Sequence, residues 1–508
     1  MIKKLPIIIF IAILLTGFGM RLYGISTNHS FWSDEAYIAA MARSIIAGEK
    51  GLIEAVRVQD YQPLHLLFVT ASMALFGISE WSARIGTVVM GSIGIIFAYL
   101  LAAKISTREG GLLAAFLFAF SQLNLSNSTQ AKQYAAIQTL LLAIFYLFHV
   151  LVTLENKNKK KYFVIHAIII ALCTISTLLH FIGIVSWVSY LAFILVEYRK
   201  AIIKNLTIKN VFIAVVTAII LGLILKIPLI IKIFLGSSIK ETFFTYNHLT
   251  YFRELFWRNY GFITLPAIFG ILFVPKKFKS ATYAVVVYTV ILSYLWIFKH
   301  YTHNIRYAVP LFGILFVYFA VFWSRVGEDV FKGKVWITCL LVAIILYGGG
   351  YKFVRKPATY YSPNADFAAD VQNANYKKAY VFLDNNFSNL SDYVVYTDFV
   401  QFHLYYSGGK APDAIFMKPH TAGLKYGEKS VLPVTNTPIY TTLNQFLELK
   451  SKQPKGLLIV EDWESILPEV IKQYAKKNLK LEYRVESLEV SPTDKWPIEI
   501  YSWGMEEK

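Results

Sequence analysis

The sequence contains a long series of apolar segments, each long enough to cross a lipid bilayer as a helix. A span needs roughly 17 to 25 apolar residues. Such segments occur at residues 5–24, 82–104, 110–127, 131–153, 162–179, 181–198, 207–226, 260–275, 280–298, 304–323 and 335–351. Of the whole chain, 56% is hydrophobic and 16% is charged, which excludes an ordinary soluble enzyme. The sequence therefore predicts a polytopic α-helical membrane protein with about 11 to 13 transmembrane helices.

The formal net charge of +18 comes from basic residues that cluster in short loops between the apolar segments. The basic loops read AKISTREGG, ENKNKKKY, EYRKAIIKN, PKKFK and RVGEDVFKGK. Because short cytoplasmic loops carry an excess of Lys and Arg, these loops are assigned to the cytoplasm. This assignment predicts a multi-pass membrane protein with a cytoplasmic N-terminus. The charge then follows from topology, and no nucleic-acid partner is expected.

The segment QPLHLLFVTASMALFG is apolar but only 16 residues long, which is short for a span. If it crossed the bilayer, every later basic loop would move to the outer side. We therefore expect it to lie along the outer interface or to re-enter, with Asp34, Asp60, Glu80 and Arg84 on the outer face. A short tilted span stays open as the alternative.

The composition changes after residue 352. The stretches KKAYVFLDN, GLLIVED, LEYRVESLEV and WPIEIYSW predict strands, and PNADFAADVQNA and WESILPEVIKQYAKKN predict helices between them. The domains predicted from this change are a transmembrane catalytic domain over 1–352, with an outer loop at 25–81, and a soluble extracytoplasmic α/β domain over 353–508.

Two adjacent carboxylates, Asp34 and Glu35, lie in the outer loop within SFWSDEAYIAAMARSIIAGEKG. One explanation is structural: Ser33 caps a helix, and acids in its first turn stabilise that helix by up to about 1 kcal/mol. The other is catalytic. Tyr37 and Met41 lie on one apolar stripe typical of an interfacial helix, which would hold Asp34 near a lipid-borne reactant as a general base.

Cationic side chains are predicted at the outer ends of the apolar segments: Arg84, Lys132, His303 and Arg306. Together they can bind a lipid phosphate or pyrophosphate, with Arg bidentate and Lys as a point charge. Solvated or snorkelling side chains are the alternative for each of them. His180 lies at a predicted outer turn, where a structural hydrogen bond and a substrate contact are equally good explanations.

Six ordered motifs resemble the GT-C membrane glycosyltransferases. They read FWSDEAYIAAMARSIIAG, DYQPLHLLF, FGISEWSARIGTVVMGSIG, REGGLLAAFLFAFS, STQAKQYAAIQTLLLA and NIRYAVPL. Their order and spacing are similar to the branch that contains dolichyl-phosphate-mannose protein mannosyltransferases, aminoarabinose lipid A transferases and rhizobial-type lipopolysaccharide glycosyltransferases. The resemblance covers most of residues 1–325.

The resemblance implies transfer of a hexose or pentose from a polyprenyl-phosphate donor to an acceptor on the extracytoplasmic face, with inversion. It implies that Asp34 is the catalytic base, with Glu35 beside it. The substrate-binding residues that it implies, or that the outer-face pattern adds, are Asp60, Glu80, Arg84, Lys132, Tyr134, His180, His303, Arg306 and Tyr307.

Two motifs depart from the pattern of the GT-C enzymes. The turn that reads D-H-P-P-L-Y in relatives has only one proline here, in DYQPLH. Gln130 stands where many relatives have an acid, which removes a possible ligand of a divalent cation. We therefore expect metal-independent transfer and name no metal ligand; a divalent cation as cofactor is the less favoured alternative.

Two other classes of protein stay open. A glycolipid or polyprenyl-lipid transporter would show charges or Gly/Pro breaks in mid-membrane segments, and here those segments are nearly free of charge. A catalytically inactive lipid-binding protein is the other alternative, for which Gln130 is the one indication. The expected partners are the donor lipid, a cell-envelope acceptor (a lipid, polysaccharide or protein) and the bilayer itself.

Overall fold

The computed structural model describes residues 5–23, 25, 30–58, 62–154, 159–204, 216, 246–299, 305–351, 374–387, 390–426, 430–432, 435–461, 466–486 and 497–505. The helices before residue 350 are α1 Leu5–Leu22, α2 Ser33–Ile46, α3 Leu52–Val58, α4 Pro63–Phe76, α5 Glu80–Ile105, α6 Arg108–Phe120, α7 Gln122–Ser128, α8 Tyr134–Leu151, α9 Lys159–Leu179, α10 Ile184–Glu197, α11 Arg199–Lys204, α12 Leu249–Arg253, α13 Gly261–Leu272, α14 Lys279–Tyr294, α15 Val309–Asp329 and α16 Val335–Gly348.

Six helices within the described ranges are long and apolar enough to cross a membrane, or seven if the bent pair Leu249–Asn259 and Gly261–Leu272 is one span. The polytopic helical membrane protein predicted from the sequence is thus confirmed, while the number of 11 to 13 helices stays a prediction. The predicted span at 207–226 lies outside the described residues. The segment after Gln62 forms α4, a helix of 14 residues.

The span predicted at 110–127 is wrong as a single helix. The helix α6 ends at Phe120, and Ser121 is extended with φ −64° and ψ 126° before α7 begins. The buried guanidinium of Arg21 donates to the carbonyl oxygens of Phe118 and Ala119, at 3.4 and 3.1 Å. Because the last carbonyls of a helix have no partner within it, this arginine satisfies them at the break.

The chain forms two compact units. The first comprises 1–23, 61–65 and 86–369, and the second comprises 24–60, 66–85 and 370–508. In the first unit α15 is central and packs against α6, α8, α13 and α16. A Cβ at Gly270 would lie 2.0 Å from the carbonyl oxygen of Tyr318, so glycine is required for the close approach of α13 to α15. Small residues commonly serve this role between membrane helices.

The second unit contains a six-stranded sheet with the order β3-β2-β1-β4-β6-β5. Its strands are β1 Val394–Thr397, β2 Ala414–Phe416, β3 Ile439–Tyr440, β4 Gly456–Glu461, β5 Lys480–Val485 and β6 Ile498–Trp503. The first four strands are parallel, and β6 pairs antiparallel with β4 and β5. Its remaining helices are α17 Tyr376–Asn386, α18 Val400–Tyr406, α19 Pro419–Tyr426, α20 Leu443–Lys452 and α21 Glu469–Asn478. The sheet-containing C-terminal part is as predicted.

The strand predicted at KKAYVFLDN is wrong, because these residues belong to α17. Asn375 caps this helix by accepting a hydrogen bond from the backbone N–H of Lys378. The buried side chains are Tyr376, Ala379, Tyr380 and Leu383. Their spacing is that of one helical face, and the helix packs on β5 and β6. The predicted helix at PNADFAADVQNA lies outside the described residues.

Most of the outer loop 25–81 belongs to the second unit, together with the C-terminal residues. Within this unit α2 packs against α18. The buried residues of α2 include Ala36, Ile38, Ala39, Ala40, Met41 and Ala42. Of the apolar stripe that suggested an interfacial helix, Met41 is buried and Tyr37 is half-buried.

Candidate functional site

The helix that carries Asp34 and Glu35 begins one residue earlier than predicted. Ser33 is its first helical residue and Trp32 is its N-cap, so Ser33 does not cap the helix. The Trp32 backbone N–H donates to Glu35 Oε2 at 3.0 Å. A carboxylate at this position satisfies a backbone donor that the helix itself leaves open. Glu35 therefore has a structural function at the start of α2.

Glu35 also forms a bidentate ion pair with Arg84. Arg84 Nε donates to Glu35 Oε1 at 3.0 Å, and Nη2 donates to Oε2 at 3.2 Å. Both side chains are 0% exposed. The guanidinium carbon also lies 4.8 Å from the ring centroid of Phe31. Two parallel charge-assisted hydrogen bonds fix relative orientation as well as distance, so the first turn of α2 has a defined position relative to Arg84.

Glu80 extends this ion pair into a network. Its Oε2 lies 3.9 Å from Arg84 Nη1 and accepts a hydrogen bond from Lys377 Nζ at 3.1 Å. Its Oε1 accepts from the hydroxyl of Tyr406. Burial, and secondarily the charge of Glu80, raise the pKa of Tyr406 well above its usual range, so the phenol stays protonated and donates. The charges of Glu35 and Glu80 are balanced by those of Arg84 and Lys377.

Asp34 differs from its neighbour in exposure. The Asp34 side chain is exposed, whereas Glu35 is buried. Consecutive residues on a helix point about 100° apart, and in α2 the side chain of Glu35 is turned inward while that of Asp34 is turned to the surface. The two explanations of the pair given by the sequence thus apply to different residues: Glu35 stabilises the helix, and Asp34 presents a carboxylate at its surface.

A second cluster lies in the first unit and contains four of the predicted residues. The guanidinium carbon of Arg306 is 5.1 Å from the ring centroid of Tyr307 and 5.9 Å from that of Tyr134. Arg306 Nη2 donates to the Tyr307 hydroxyl at 3.1 Å. The ring of His180 lies 5.7 Å from Tyr134 and 6.3 Å from Tyr307. The arrangement is a half-buried cation in contact with the rings of Tyr134 and Tyr307.

Lys132 precedes Tyr134 by two residues in the same unit, and its residue exposure is 9%. The backbone around it is held by His65, whose Nε2 shares a hydrogen bond of 3.1 Å with the carbonyl oxygen of Ala131. Gln130, which stands where many relatives have an acid, donates from its amide to the Ser126 hydroxyl at 3.3 Å. His65 thus has a structural role in this part of the chain.

The structure brings together Glu35, Glu80 and Arg84 in one unit, and Tyr134, His180, Arg306 and Tyr307 in the other. Asp60 and His303 lie outside the described residues. Tyr406 and Lys377 were not predicted, since nothing in the sequence links α17 and α18 to the outer loop. Within the part of the chain that the structure describes, no three His, Cys, Asp or Glu side chains lie close enough to hold a metal ion.

Residues 60–231 match the family model described as dolichyl-phosphate-mannose-protein mannosyltransferase. No curated protein sequence matches this chain significantly. Solved structures are similar in fold at low sequence identity. ArnT from Cupriavidus metallidurans in the apo state has a TM-score of 0.62 at 10% identity, with 99% of this chain and 98% of that chain covered.

The same protein bound to undecaprenyl phosphate gives a TM-score of 0.56 at 12% identity over 98% of both chains. The archaeal oligosaccharyltransferase AglB from Archaeoglobus fulgidus, in complex with an inhibitory peptide and a dolichol-phosphate, gives 0.52 at 11% identity, covering 90% of this chain and 69% of that chain. Identities this low show the fold alone. The chain therefore has the fold of the GT-C membrane glycosyltransferases, and the resemblance seen in its sequence motifs is confirmed.

Proposed function

We propose that the protein is a membrane glycosyltransferase that transfers a hexose or pentose from a polyprenyl-phosphate donor to a cell-envelope acceptor. The observation that carries this proposal is the difference between Asp34 and Glu35. Glu35, Glu80 and Arg84 are buried and, together with the partly exposed Lys377, form a network whose formal charges cancel; this network lies beside the exposed Asp34 on the first turn of α2. A fixed carboxylate at the surface of a membrane protein with the GT-C fold suits a general base.

In the proposed reaction Asp34 takes the proton of the acceptor hydroxyl. The acceptor oxygen then bonds to the anomeric carbon, and the bond from that carbon to the phosphate oxygen breaks. The polyprenyl phosphate leaves with the electron pair, and the sugar inverts its configuration. Lys132 and Arg306 bind the departing phosphate, since a developing negative charge is stabilised by fixed cations. Gln130 replaces a possible metal ligand, so we propose that transfer needs no divalent cation.

The remaining predicted residues have supporting roles in this proposal. Tyr134 and Tyr307 lie against Arg306, His180 lies near both tyrosine rings, and we propose that all three contact the donor headgroup. Arg84 is fully buried and bonded to Glu35, so we propose that it and Glu80 position Asp34; this differs from the phosphate contact expected from the sequence. Asp60 and His303 are proposed as substrate contacts, as expected from the sequence. The reaction is proposed to occur on the extracytoplasmic face of a bacterial inner membrane.

The known structures that resemble this chain support a lipid-phosphate ligand by analogy. One is bound to undecaprenyl phosphate and another to a dolichol-phosphate. The aromatic cluster around Arg306 could bind the phosphate end of such a lipid. Arg can bind a phosphate group bidentately, and aromatic rings can pack against a sugar ring or an isoprenoid chain.

The test is donor turnover by the purified full-length protein in liposomes. A panel of polyprenyl-phosphate hexoses and pentoses is supplied with cell-envelope lipids, polysaccharide and protein as acceptors, with and without EDTA. Sugar appearing on an acceptor, with polyprenyl phosphate released in equal amount and EDTA without effect, is the expected result. Movement of the intact donor lipid between leaflets without release of sugar would contradict the proposal and indicate a lipid transporter instead.

A further inference from the structure

The tyrosine pair at the end of α18 lies against the start of α2, within the second unit. The Tyr406 hydroxyl accepts a hydrogen bond from the Phe31 backbone N–H at 3.1 Å and donates one to Glu80. Phe31 precedes Asp34 by three residues. Tyr406 therefore forms hydrogen bonds both with the backbone just before the helix that carries Asp34 and with Glu80, a member of the network that includes Arg84 and Glu35.

Tyr405 adds two contacts with the same helix. Its ring packs edge-on against Phe31 with centroids 4.8 Å apart. Its carbonyl oxygen accepts from Arg43 Nη1 at 3.0 Å, and Arg43 lies in the last turn of α2. The tyrosine pair thus contacts α2 ahead of its first residue and again near its end, which restricts both the position and the direction of the helix.

The turn that follows α18 is shaped for this contact. Gly408 and Gly409 have φ values of +90° and +98°, a region that favours glycine. A Cβ at Gly408 would lie 3.3 Å from Arg43 Nη2, and one at Gly409 would lie 3.2 Å from a carboxylate oxygen of Glu49. The sequence YYSGG therefore lies against α2 and against Glu49, which follows this helix.

We propose that Tyr406 is a positioning residue for Asp34, and that the C-terminal sheet region serves the transfer reaction by fixing the helix that carries the base. This inference rests on the proposed function. Tyr406 does not touch substrate; it acts through the Phe31 backbone and through the chain of contacts from Glu80 to Arg84 to Glu35. A base displaced by even about 1 Å from the acceptor can lose up to a hundredfold in rate.

The test compares Tyr406→Phe with Tyr501→Phe in the full-length protein in lipid nanodiscs. Both variants keep the ring and remove one tyrosine hydroxyl bonded to a glutamate of the same unit, since Tyr501 donates to Glu499 at 2.7 Å on β6. Two readouts are taken: hydrogen exchange of the peptide covering 31–46, and kcat and KM for the donor lipid. Of these two hydroxyls, that of Tyr406 is bonded to the start of α2, and that of Tyr501 is bonded to Glu499 within β6, so Tyr501→Phe reports a general loss of stability.

We expect Tyr406→Phe to speed exchange in 31–46 and to lower kcat by about tenfold or more with KM within about twofold. Tyr501→Phe is expected to change neither readout. Adding Glu80→Gln to Tyr406→Phe should then cost less than the sum of the two single effects, because both remove the same link. Such non-additivity identifies action through Glu80.

Equal exchange and equal kcat in the two tyrosine variants would overturn the inference. A fully additive double variant would overturn the path through Glu80. If the wild type transfers no sugar, the proposed function fails, and hydrogen exchange is then the readout that tests the positioning role. Faster exchange in Tyr406→Phe but not in Tyr501→Phe supports that role. Unchanged exchange in Tyr406→Phe contradicts it.

Discussion

Arg84 donates two parallel hydrogen bonds to Glu35 in the interior of the second unit, although the residues lie 49 positions apart in the sequence. Because of this pair, the two adjacent carboxylates have different environments. Glu35 is buried and stabilises the fold, whereas its neighbour Asp34 is exposed at the surface. The arrangement leads to predictions for stability, for ligand binding and for transfer.

Removal of one member of the Arg84–Glu35 pair is expected to destabilise the second unit strongly. Arg84→Met leaves two buried carboxylates with one cation, and breaking a buried pair in this way costs about 3–5 kcal/mol. Arg84→Lys should also be harmful, because an ammonium cannot make the bidentate contact. Limited proteolysis and thermal inactivation in detergent measure the effect. The exposed acid Glu54 on α3 provides the control: Glu54→Gln should change stability by no more than about 0.5 kcal/mol.

The cluster around Arg306 is expected to bind the donor phosphate. Arg306→Met should weaken the binding of polyprenyl phosphate by about tenfold or more, since a charge-assisted contact contributes on the order of 1.5 kcal/mol or above. Native mass spectrometry or lipid-quenched fluorescence gives the affinity. Arg258→Met is the matched control, because Arg258 pairs with Glu254 at the surface of the same unit with 77% of its side chain exposed. Similar losses in both variants would contradict a specific phosphate site.

The turn at Gly408 and Gly409 is expected to tolerate no side chain. Gly409→Ala places a Cβ at positive φ and against the carboxylate of Glu49, for which a cost on the order of 1–3 kcal/mol is usual. We expect faster hydrogen exchange in α2 as well as in α18. In Gly423→Ala, by contrast, the new Cβ meets no atom within 4 Å on α19, and alanine in a helix is favoured by roughly 0.5–1 kcal/mol. Unchanged exchange in Gly409→Ala would show that the two helices are not coupled through this turn.

His403 should make α18 sensitive to acid. Burial, and secondarily the charge of Lys410, lower the pKa of His403 to about 3, and its Nδ1 shares a hydrogen bond of 2.8 Å with the Tyr380 hydroxyl. In the unfolded state the pKa of this histidine is near 6.5, so between pH 3 and pH 6.5 the unfolded state binds more protons than the folded state. The contribution of His403 to the free energy of unfolding is therefore largest above about pH 6.5. It falls as the pH drops towards 3, by about 2 kcal/mol at pH 5.

Hydrogen exchange of residues 394–406, corrected for the intrinsic effect of pH, measures this loss between pH 7 and pH 5. The variant His403→Gln keeps a polar side chain that does not titrate, so its exchange should depend less on pH. Identical pH dependence in the wild type and this variant would assign the acid sensitivity to another group.

The apolar segments and the Asp34–Glu35 pair could be predicted because they are local features of the sequence. The partners of Glu35 and Glu80 could not. The sequence suggested Arg84 as a phosphate-binding cation, because sequence alone does not show that it is neutralised by Glu35, a buried carboxylate 49 positions earlier in the chain. Tyr406 lies 326 residues from Glu80, and consecutive tyrosines in a short helix look like ordinary core.

Local ambiguity accounts for the other differences. The stretch KKAYVFLDN contains β-branched and aromatic residues that suit a strand, yet its Ala379, Tyr380 and Leu383 are buried on one side of a helix together with the preceding Tyr376. Which pattern applies is decided by packing on β5 and β6. In the same way, the break at Ser121 depends on Arg21 from another helix, which no pattern within 110–127 shows.

The most direct test of the central claim is donor turnover and polyprenyl-phosphate binding measured together for Asp34→Asn, with Glu54→Gln as the control. Asparagine keeps the size of the side chain and cannot act as a carboxylate base. The account predicts that turnover falls by about a hundredfold or more, while lipid binding and the exchange of α2 stay at the wild-type level and Glu54→Gln behaves as wild type. Equal turnover by Asp34→Asn and the wild type would contradict the assignment of Asp34 as the base.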